Sequence, residues 1–397
     1  MVDDSAALKN TGVAALFPSA RRSSLLYRRF GRSEQQISVF SLGSMRLVNV
    51  PPAQAQATVE AAVAAGINHI ETAQAYGHAE SLLGEILQTL SVPRQQLILT
   101  TKLTPQPQDQ LRETLQGSLI RLRVDYLDQF AFHGINRPEH LQWVLQEGLP
   151  ILQQAQKEGW VRYIGFSTHG SLDLILQAIQ TGYFDFVNLH YHFFQQRNQP
   201  ALEAATQQDM GVFIISPADK GGMLYHPPRR LQEACQPFSP LEFAYRFLLA
   251  NPHIHTLSLG ITHLQELQTA LASLQDPEGW WVDGPRVQKR LQEAEEERLG
   301  STRCAQCYAC LPCPEGIHIP EVLRLRNLAL AHDMTEFGQY RYNMFGQAGH
   351  WFPGVTADCC TECGDCLPRC PEQLPIPDLL AETHRLLHRA PIRRLWE

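Results

Sequence analysis

Along the first three hundred residues, short β-branched or aromatic runs alternate with longer stretches whose apolar positions recur at helical spacing. The strand-like runs are "ISVFSLG", "INHIETA", "LILTTKL", "YLDQFAFHG", "VRYIGFST", "FVNLHYHFF", "GVFIISP" and "HTLSLGIT". Between them lie helix-like stretches such as "PAQAQATVEAAVAAG", "HAESLLGEILQTL", "DQLRETLQGSLIRL", "LPILQQAQKEG", "SLDLILQAIQTG" and "PLEFAYRFLLANP", several closed by Gly or Asn-Pro as helix ends often are. Eight β-then-α units are the count of an α/β (β/α)8 TIM barrel. The competing arrangement, an open doubly wound sheet, is disfavoured because no strand leads into a G-x-G-x-x-G turn.

Length agrees with this reading. A chain of 397 residues holds a barrel of about 250 residues and a smaller second domain. The predicted division is a mobile N-terminal tail over 1–24, a barrel over 25–280, a charge-rich linking helix over 281–303 and a cysteine-rich domain over 304–397. A formal charge of -7 leaves no basic footprint for nucleic acid, and no apolar run approaches the roughly 18 residues of a membrane span. The first residues lack the apolar stretch of a secretory signal. Nine of the ten cysteines lie beyond residue 300, which suggests metal ligands in a reducing compartment, the cytoplasm, rather than a disulfide framework.

Chemistry in such barrels gathers at the C-terminal ends of the strands. There the sequence places Glu71, with Tyr76 and Gly77 in the following loop, then Lys102, then His133. Any one of these alone would pass as a satisfied polar residue. Together they suit hydride addition to a carbonyl, which leaves negative charge on oxygen and needs a proton donor and a positive field in place. Tyr76 would donate, Lys102 would supply the field, Glu71 would hold Lys102, and His133 would orient the carbonyl oxygen.

The motifs "INHIETAQAYGHAE", "TTK", "FHG", "IGFST" and "LGITHLQELQTAL", with "YRRFGRSEQQISVFSLGSMR" before them, resemble in order those of the aldo/keto reductases. The resemblance spans residues 25 to 275. It implies a nicotinamide-dependent carbonyl reductase with Tyr76, Lys102 and His133 as catalytic residues, and Glu71 standing where the family usually has Asp. It further implies that Ser167, Thr168 and Asn188 bind the nicotinamide amide, although Asn and Gln are commoner at the last two positions. Backbone amides of Ser216, Lys220 and Gly221 would cradle the pyrophosphate, and Gly260 to His263 would offer free N–H groups at the start of the last barrel helix. Where the family often has Arg or Lys for the adenosine 2'-phosphate, only Thr262 and His263 stand. NADPH is the cofactor the family suggests, and NADH stays open.

Two cysteine motifs follow. Cys304, Cys307, Cys310 and Cys313 precede Pro314; Cys360, Cys363, Cys366 and Cys370 precede Pro371. The second has the C-x2-C-x2-C-x3-C-P spacing of two-cluster ferredoxins, in which the fourth cysteine ligates the other cluster. On that rule Cys304, Cys307, Cys310 and Cys370 hold one [4Fe-4S] cluster, and Cys360, Cys363, Cys366 and Cys313 the second. Zinc, the competing reading, leaves the third closely spaced cysteine without a place in a tetrahedron. The first motif is one residue short before Cys313, and Cys359 is an extra thiol read as a non-ligand. The connection between the motifs, including "IPEVLRLRNLALAHDMTEFGQYRYNMF", reads as helix and resembles the α-helical ferredoxin domains of respiratory reductases. The tails "GIHIP" and "QLPIP" suggest a pseudo-repeat, each Pro starting a helix.

The whole reads as an oxidoreductase that reduces a small aldehyde or ketone, with an iron–sulfur domain serving electron transfer or structure. Electron exchange with the barrel meets a difficulty: hydride carries two electrons, clusters take one, and no flavin signature bridges them. The alternative is a barrel turned ligand-binding or docking module, with the ferredoxin-like domain carrying electrons to a redox protein partner.

Overall fold

The structure, a computed structural model, describes residues 25–389 apart from 106, 107 and 276; the tail expected over 1–24 lies outside the described residues. A hairpin of β1 (Tyr27–Arg29) and β2 (Gln36–Ser38) comes first. The eight apolar runs then form β3 (Phe40–Gly43), β4 (His69–Glu71), β5 (Ile98–Leu103), β6 (Leu127–His133), β7 (Val161–Ser167), β8 (Phe186–Leu189), β9 (Gly211–Ile214) and β10 (Thr256–Leu259). All pair in parallel, and β10 returns to β3 to close the barrel. The expected (β/α)8 architecture is therefore present.

The intervening helices are α1 (Pro52–Ala64), α2 (Ala79–Leu87), α3 (Gln108–Leu122), α4 (Pro138–Trp143), α5 (Leu149–Lys157), α6 (Leu172–Gln180) and α7 (Gln199–Gln207). After β9 come α8 (Arg229–Cys235) and α9 (Pro240–Ala250), and after β10 comes α10 (Leu264–Ala272). Helix α6 shows why these segments are helical. Ser171 caps it by accepting the Leu174 N–H, and Leu174, Ile175, Ala178 and Ile179 form one buried stripe against the barrel. Each of the three leucine and isoleucine side chains contributes roughly 1.5–3 kcal/mol on burial.

The barrel floor is plugged by the hairpin. Phe30 packs with Ile37, Ile98, Ala131, Phe186 and Phe213, and a Cβ on Gly211 would stand 2.5 Å from the Phe30 ring. Above this plug runs a polar belt: His69 bonds Ser41 Oγ through Nδ1 (2.6 Å) and Thr100 Oγ1 through Nε2 (2.7 Å), and Thr100 donates to Gln129. Burial, with the Lys102 charge nearby, pushes His69 down to about 3, so this imidazole is a neutral spacer.

Beyond the barrel, α11 (Pro277–Leu299) leads to α12 (Ile319–His332), α13 (Thr335–Tyr342) and α14 (Ile376–Leu387). The linking helix thus begins earlier than the charge pattern indicated. The stretch read as helix between the cysteine motifs is helical but breaks at Asp333, whose left-handed backbone (φ 62°) ends α12 while its N–H bonds the Leu328 carbonyl. Short polar side chains tolerate that conformation, and a second helix starts two residues later. Both proline-led tails do begin helices, α12 and α14. None of the described helices is long and apolar enough to cross a membrane.

The C-terminal helices pack onto the barrel's C-terminal end. Phe194 meets His332 at 5.0 Å between ring centroids, Arg230 donates to the Leu330 carbonyl (3.3 Å), and Gln195 donates to Glu321 (3.4 Å). Helix α12 is nearly all buried, charged residues included. Its Arg324 makes two bonds to Glu321 (2.9 and 2.5 Å). Burial alone would raise the Glu321 carboxyl, but the Arg324 guanidinium holds it at about 2. Glu321→Ala would strand Arg324 without its partner, and should destabilise the fold by about 3–5 kcal/mol, whereas Glu321→Met with Arg324→Met should cost far less. Denaturation midpoints of the two variants check this.

Candidate active site

The C-terminal ends of the barrel strands open into a cavity of about 410 Å³. Lining it are Glu71, Tyr76, Lys102 and His133, so the four candidate catalytic residues converge on one space. Glu71 closes β4, Lys102 is the penultimate residue of β5, and His133 closes β6. Parallel pairing of neighbouring strands brings their ends to one rim.

Lys102 and Glu71 form a buried ion pair, and the ammonium also donates to the Thr72 carbonyl (2.9 Å). The longer Glu side chain therefore reaches Lys102. Burial pulls Lys102 below the ordinary lysine range; the carboxylate in contact is the group that favours its charged form. Its Nζ lies 4.9 Å from the centroid of the Tyr76 ring, which stands edge-on to His133 at 5.6 Å. Burial raises the Tyr76 phenol, so it rests protonated. Burial, followed by the charges of Lys102, Lys220 and His350, pushes His133 well below the usual histidine range. It is a neutral imidazole whose Nδ1 has no hydrogen-bond partner.

The residues tied to a cofactor by resemblance divide by position. Ser167, Ser216, Lys220 and Gly260 line the cavity. Asn188 stands beside Ser167 in the β7–β8 register, fully buried, with both side-chain amide atoms unpartnered. Thr168 is committed to the fold: its hydroxyl donates to the Ile135 carbonyl (2.6 Å) and accepts the Gly170 N–H (3.0 Å). Gly221 permits a tight turn, since a Cβ there would lie 2.1 Å from the Pro217 carbonyl oxygen. At the start of α10, Thr262 donates its N–H (2.6 Å) and hydroxyl (3.1 Å) to Glu266, and half-exposed His263 faces the same carboxylate at 3.8 Å. That helix start is thus capped by its own Glu266.

Several lining residues carried no signal along the sequence. Arg46 donates to the Gly260 carbonyl (2.5 Å) and pairs with Glu266 (3.4 Å). From beyond the barrel come Arg341, Met344, Ala348 and Trp351. The Trp351 ring packs 4.9 Å from His133 and 5.4 Å from His169, centroid to centroid, and its neighbour His350 bonds Asn136 (2.9 Å). The segment following α13 therefore covers the end of the cavity at which His133 stands.

No disulfide joins any of the ten cysteines. Cys313, Cys360, Cys363 and Cys366 surround one small cavity. Cys304 is raised first by burial and then by Cys307 and Cys370 beside it, while Cys366 is raised by burial and then by Cys360, Cys363 and Cys313. Among the described residues, no three His, Cys, Asp or Glu side chains converge as a single metal ion requires. Cys359 is exposed, and Cys235, buried among apolar residues, is pushed up to about 12.

The model of the aldo/keto reductase family matches residues 40–277. The chain belongs to that family. An aldo/keto reductase of this kind is a nicotinamide-dependent oxidoreductase. Among curated relatives, L-galactose dehydrogenase of Arabidopsis thaliana is 27% identical over 324 residues, covering 73% of this chain and 98% of the relative. A 6-dehydroglucose reductase of Novosphingobium aromaticivorans is 37% identical over 158 residues, covering 36% of this chain and 51% of the relative. Among solved structures, the aldo-keto reductase AKR11C1 from Bacillus halodurans in its holo form superposes with a TM-score of 0.60 at 20% identity, covering 67% of this chain and 96% of that one. The match to the family ends at 277, before the cysteine motifs and before Arg341 and Trp351.

Gly134, next to His133, has φ +89°, and a Cβ there would stand 2.6 Å from the Trp351 ring. Gly134→Ala should therefore cost about 1–3 kcal/mol and lift the covering segment. A lowered melting temperature with increased acrylamide quenching of tryptophan emission is the expected result. Unchanged values in both would show that Trp351 does not seat against Gly134.

Proposed function

We propose that this aldo/keto reductase reduces the carbonyl group of a small aldehyde or ketone with NADPH as the hydride source. The observation that carries this is the buried Lys102–Glu71 pair under the Tyr76 ring, with neutral His133 beside it in one cavity.

Charge develops on the carbonyl oxygen as the reaction proceeds, and the protonated Tyr76 hydroxyl is the group able to supply a proton there. Lys102 contributes a positive field from below, strengthened by its burial. Glu71 fixes the ammonium in place, and His133, neutral and with a free ring nitrogen, can hydrogen-bond the carbonyl oxygen without competing for the proton. Residues on this chain also fit a nicotinamide cofactor. Asn188 is a buried amide without a partner, next to Ser167, and such a group is costly unless a ligand amide satisfies it. Ser216, Lys220 and Gly260 line the adjoining wall, where a pyrophosphate would need polar contacts. The cofactor supplies the hydride; the chain holds it, orients the carbonyl and moves the proton.

The same proposal assigns two [4Fe-4S] clusters to the cysteine sets {Cys304, Cys307, Cys310, Cys370} and {Cys360, Cys363, Cys366, Cys313}. Their support is the motif spacing, the four thiols around one cavity, and the influence of Cys370 on Cys304 across the two motifs. A cluster spreads its four ligands over four irons, which suits thiols that ring a space. Such clusters supply one-electron exchange or a structural brace, and thiol ligands of this kind suit a reducing compartment such as the cytoplasm.

Tyr76→Phe should lower kcat/KM for aldehyde reduction by about 10²- to 10⁴-fold with little change in cofactor affinity; a rate equal to the parent's would remove Tyr76 as proton donor. Cys363→Ser should lose about half of the roughly eight irons expected per chain. Iron content equal to that of the parent chain would take Cys363 out of the ligand set.

A further inference from the structure

We propose that the segment beyond the barrel completes the active site with an anion-binding subsite, Arg341 together with Lys220, which selects carbonyl substrates bearing a carboxylate or phosphate group. This deepens the carbonyl-reductase reading and rests on it for the chemistry, while the subsite itself rests on separate observations.

Arg341 lies in the last turn of α13, only 7% exposed, and lines the barrel cavity. Its guanidinium is poorly satisfied. The Nε has no hydrogen-bond partner, Nη1 donates only to the Met344 sulfur (3.2 Å), and the Phe352 ring covers one face at 4.1 Å. The nearby carboxylate of Glu321 is engaged in two bonds by Arg324. Other buried cations among the described residues do have an acidic partner in contact, Lys102 with Glu71, Arg324 with Glu321 and Arg326 with Glu382 (2.7 Å).

Lys220 lines the same cavity. Its Nζ reaches His190 Nε2 (3.3 Å), which in turn is 3.2 Å from His169 Nδ1. Burial drives both imidazoles well below the usual range, so neither offers negative charge. Burial and then the Arg341 charge push Lys220 down to about 7, with Asp219 acting the other way. With Lys102 paired to Glu71 and Arg46 to Glu266, Arg341 and Lys220 face the cavity against the one remaining lining carboxylate, Asp219.

A buried guanidinium and a partly buried ammonium turned toward one space are unfavourable until an anion joins them. A guanidinium with free donors suits a planar carboxylate or a phosphate, which it can grip with two bonds. The anion has two sources: the substrate, or the pyrophosphate of the cofactor. The structure favours the substrate, because Arg341 arrives on the same segment as Trp351, which packs on His133, where the carbonyl would sit. The pyrophosphate wall, by contrast, is formed from barrel residues alone, Ser216, Gly260 and the backbone of Lys220, so Arg341 is the group that separates the two sources.

The test uses full-length enzyme purified anaerobically, with saturating NADPH and two aldehydes of like size, 4-carboxybenzaldehyde and 4-methylbenzaldehyde. The parent should prefer the carboxylated aldehyde in kcat/KM by about 10-fold or more, the scale of a charged hydrogen bond. Arg341→Gln should reduce that ratio by a similar factor, chiefly through KM, and Arg341→Lys should restore part of it. A ratio near one in the parent, or a ratio unchanged in Arg341→Gln, overturns the proposal. So does a rise in KM for NADPH with the aldehyde ratio preserved, which would assign Arg341 to the cofactor.

If neither aldehyde is reduced, the carbonyl-reductase reading fails, and the subsite is then decided by calorimetry with benzoate and benzamide. Tighter binding of benzoate than benzamide, lost in Arg341→Gln, supports it; equal binding of the two overturns it.

Discussion

Pairing of β10 with β3 closes the sheet, and the site depends on that closure. In an open sheet the ends of β4 and β10 would lie far apart. Closed, they become points on one rim, so that Glu71, Lys102, His133, Ser167, Ser216 and Gly260 border a single cavity although more than 180 residues separate the first from the last. The hairpin plug at the opposite end, with Phe30 at its centre, blocks the barrel floor. Ligands therefore have one end at which to enter, and the residues beyond residue 300 fold over that end.

Electrostatics then separates the parts of the molecule that are finished from the parts that await a ligand. The Lys102–Glu71 pair is complete, with the ammonium also bonded to a backbone carbonyl. Arg324 and Glu321 are equally complete inside α12. Buried His69, bonded at both ring nitrogens, adds no charge at all. Against this background three unsatisfied groups stand out by place: the Asn188 amide, His133 Nδ1 and Arg341 Nε are all buried at or beside the same cavity. Buried polar groups are rarely left without partners in a fold at rest, so these three, beside an open cavity, are groups that ligand atoms can satisfy.

The barrel and the gathering of Glu71, Lys102 and His133 on its rim were legible from the sequence because both depend on local pattern. Apolar runs placed the strands, and a polar residue at the end of a run is at the C-terminal rim whatever follows it. Other features depend on contacts that no local pattern encodes. Thr168 looks like a cofactor ligand in the sequence, yet its hydroxyl is spent on Ile135 and Gly170. Thr262 looks like a free helix start, yet Glu266, four residues on, takes its N–H. Most of all, Trp351 meets His133 across more than two hundred residues, between a reductase barrel and a cysteine-rich segment that appear unrelated in sequence. The helical reading of 319–345 missed only the break within it: a single left-handed Asp333 redirects the chain, so that α12 lies buried and α13 delivers Arg341 to the cavity.

This placement bears on why a reductase would carry cysteine motifs at all. One motif ends at Cys313, just before α12; the other starts at Cys360, just after the segment that holds Trp351. The residues between them are those that cover the active site. In the proposed crossed arrangement, Cys370 joins the first set and Cys313 the second, so each cluster ties the beginning of the covering segment to its end. Such a tie removes conformational freedom from the chain between its anchor points and so favours its folded form. Arg341 and Trp351 would then be held in register over His133 by clusters that need not exchange an electron with the barrel. The mismatch between a two-electron hydride and one-electron clusters is no obstacle to that role, because it requires binding energy from the clusters and no redox change.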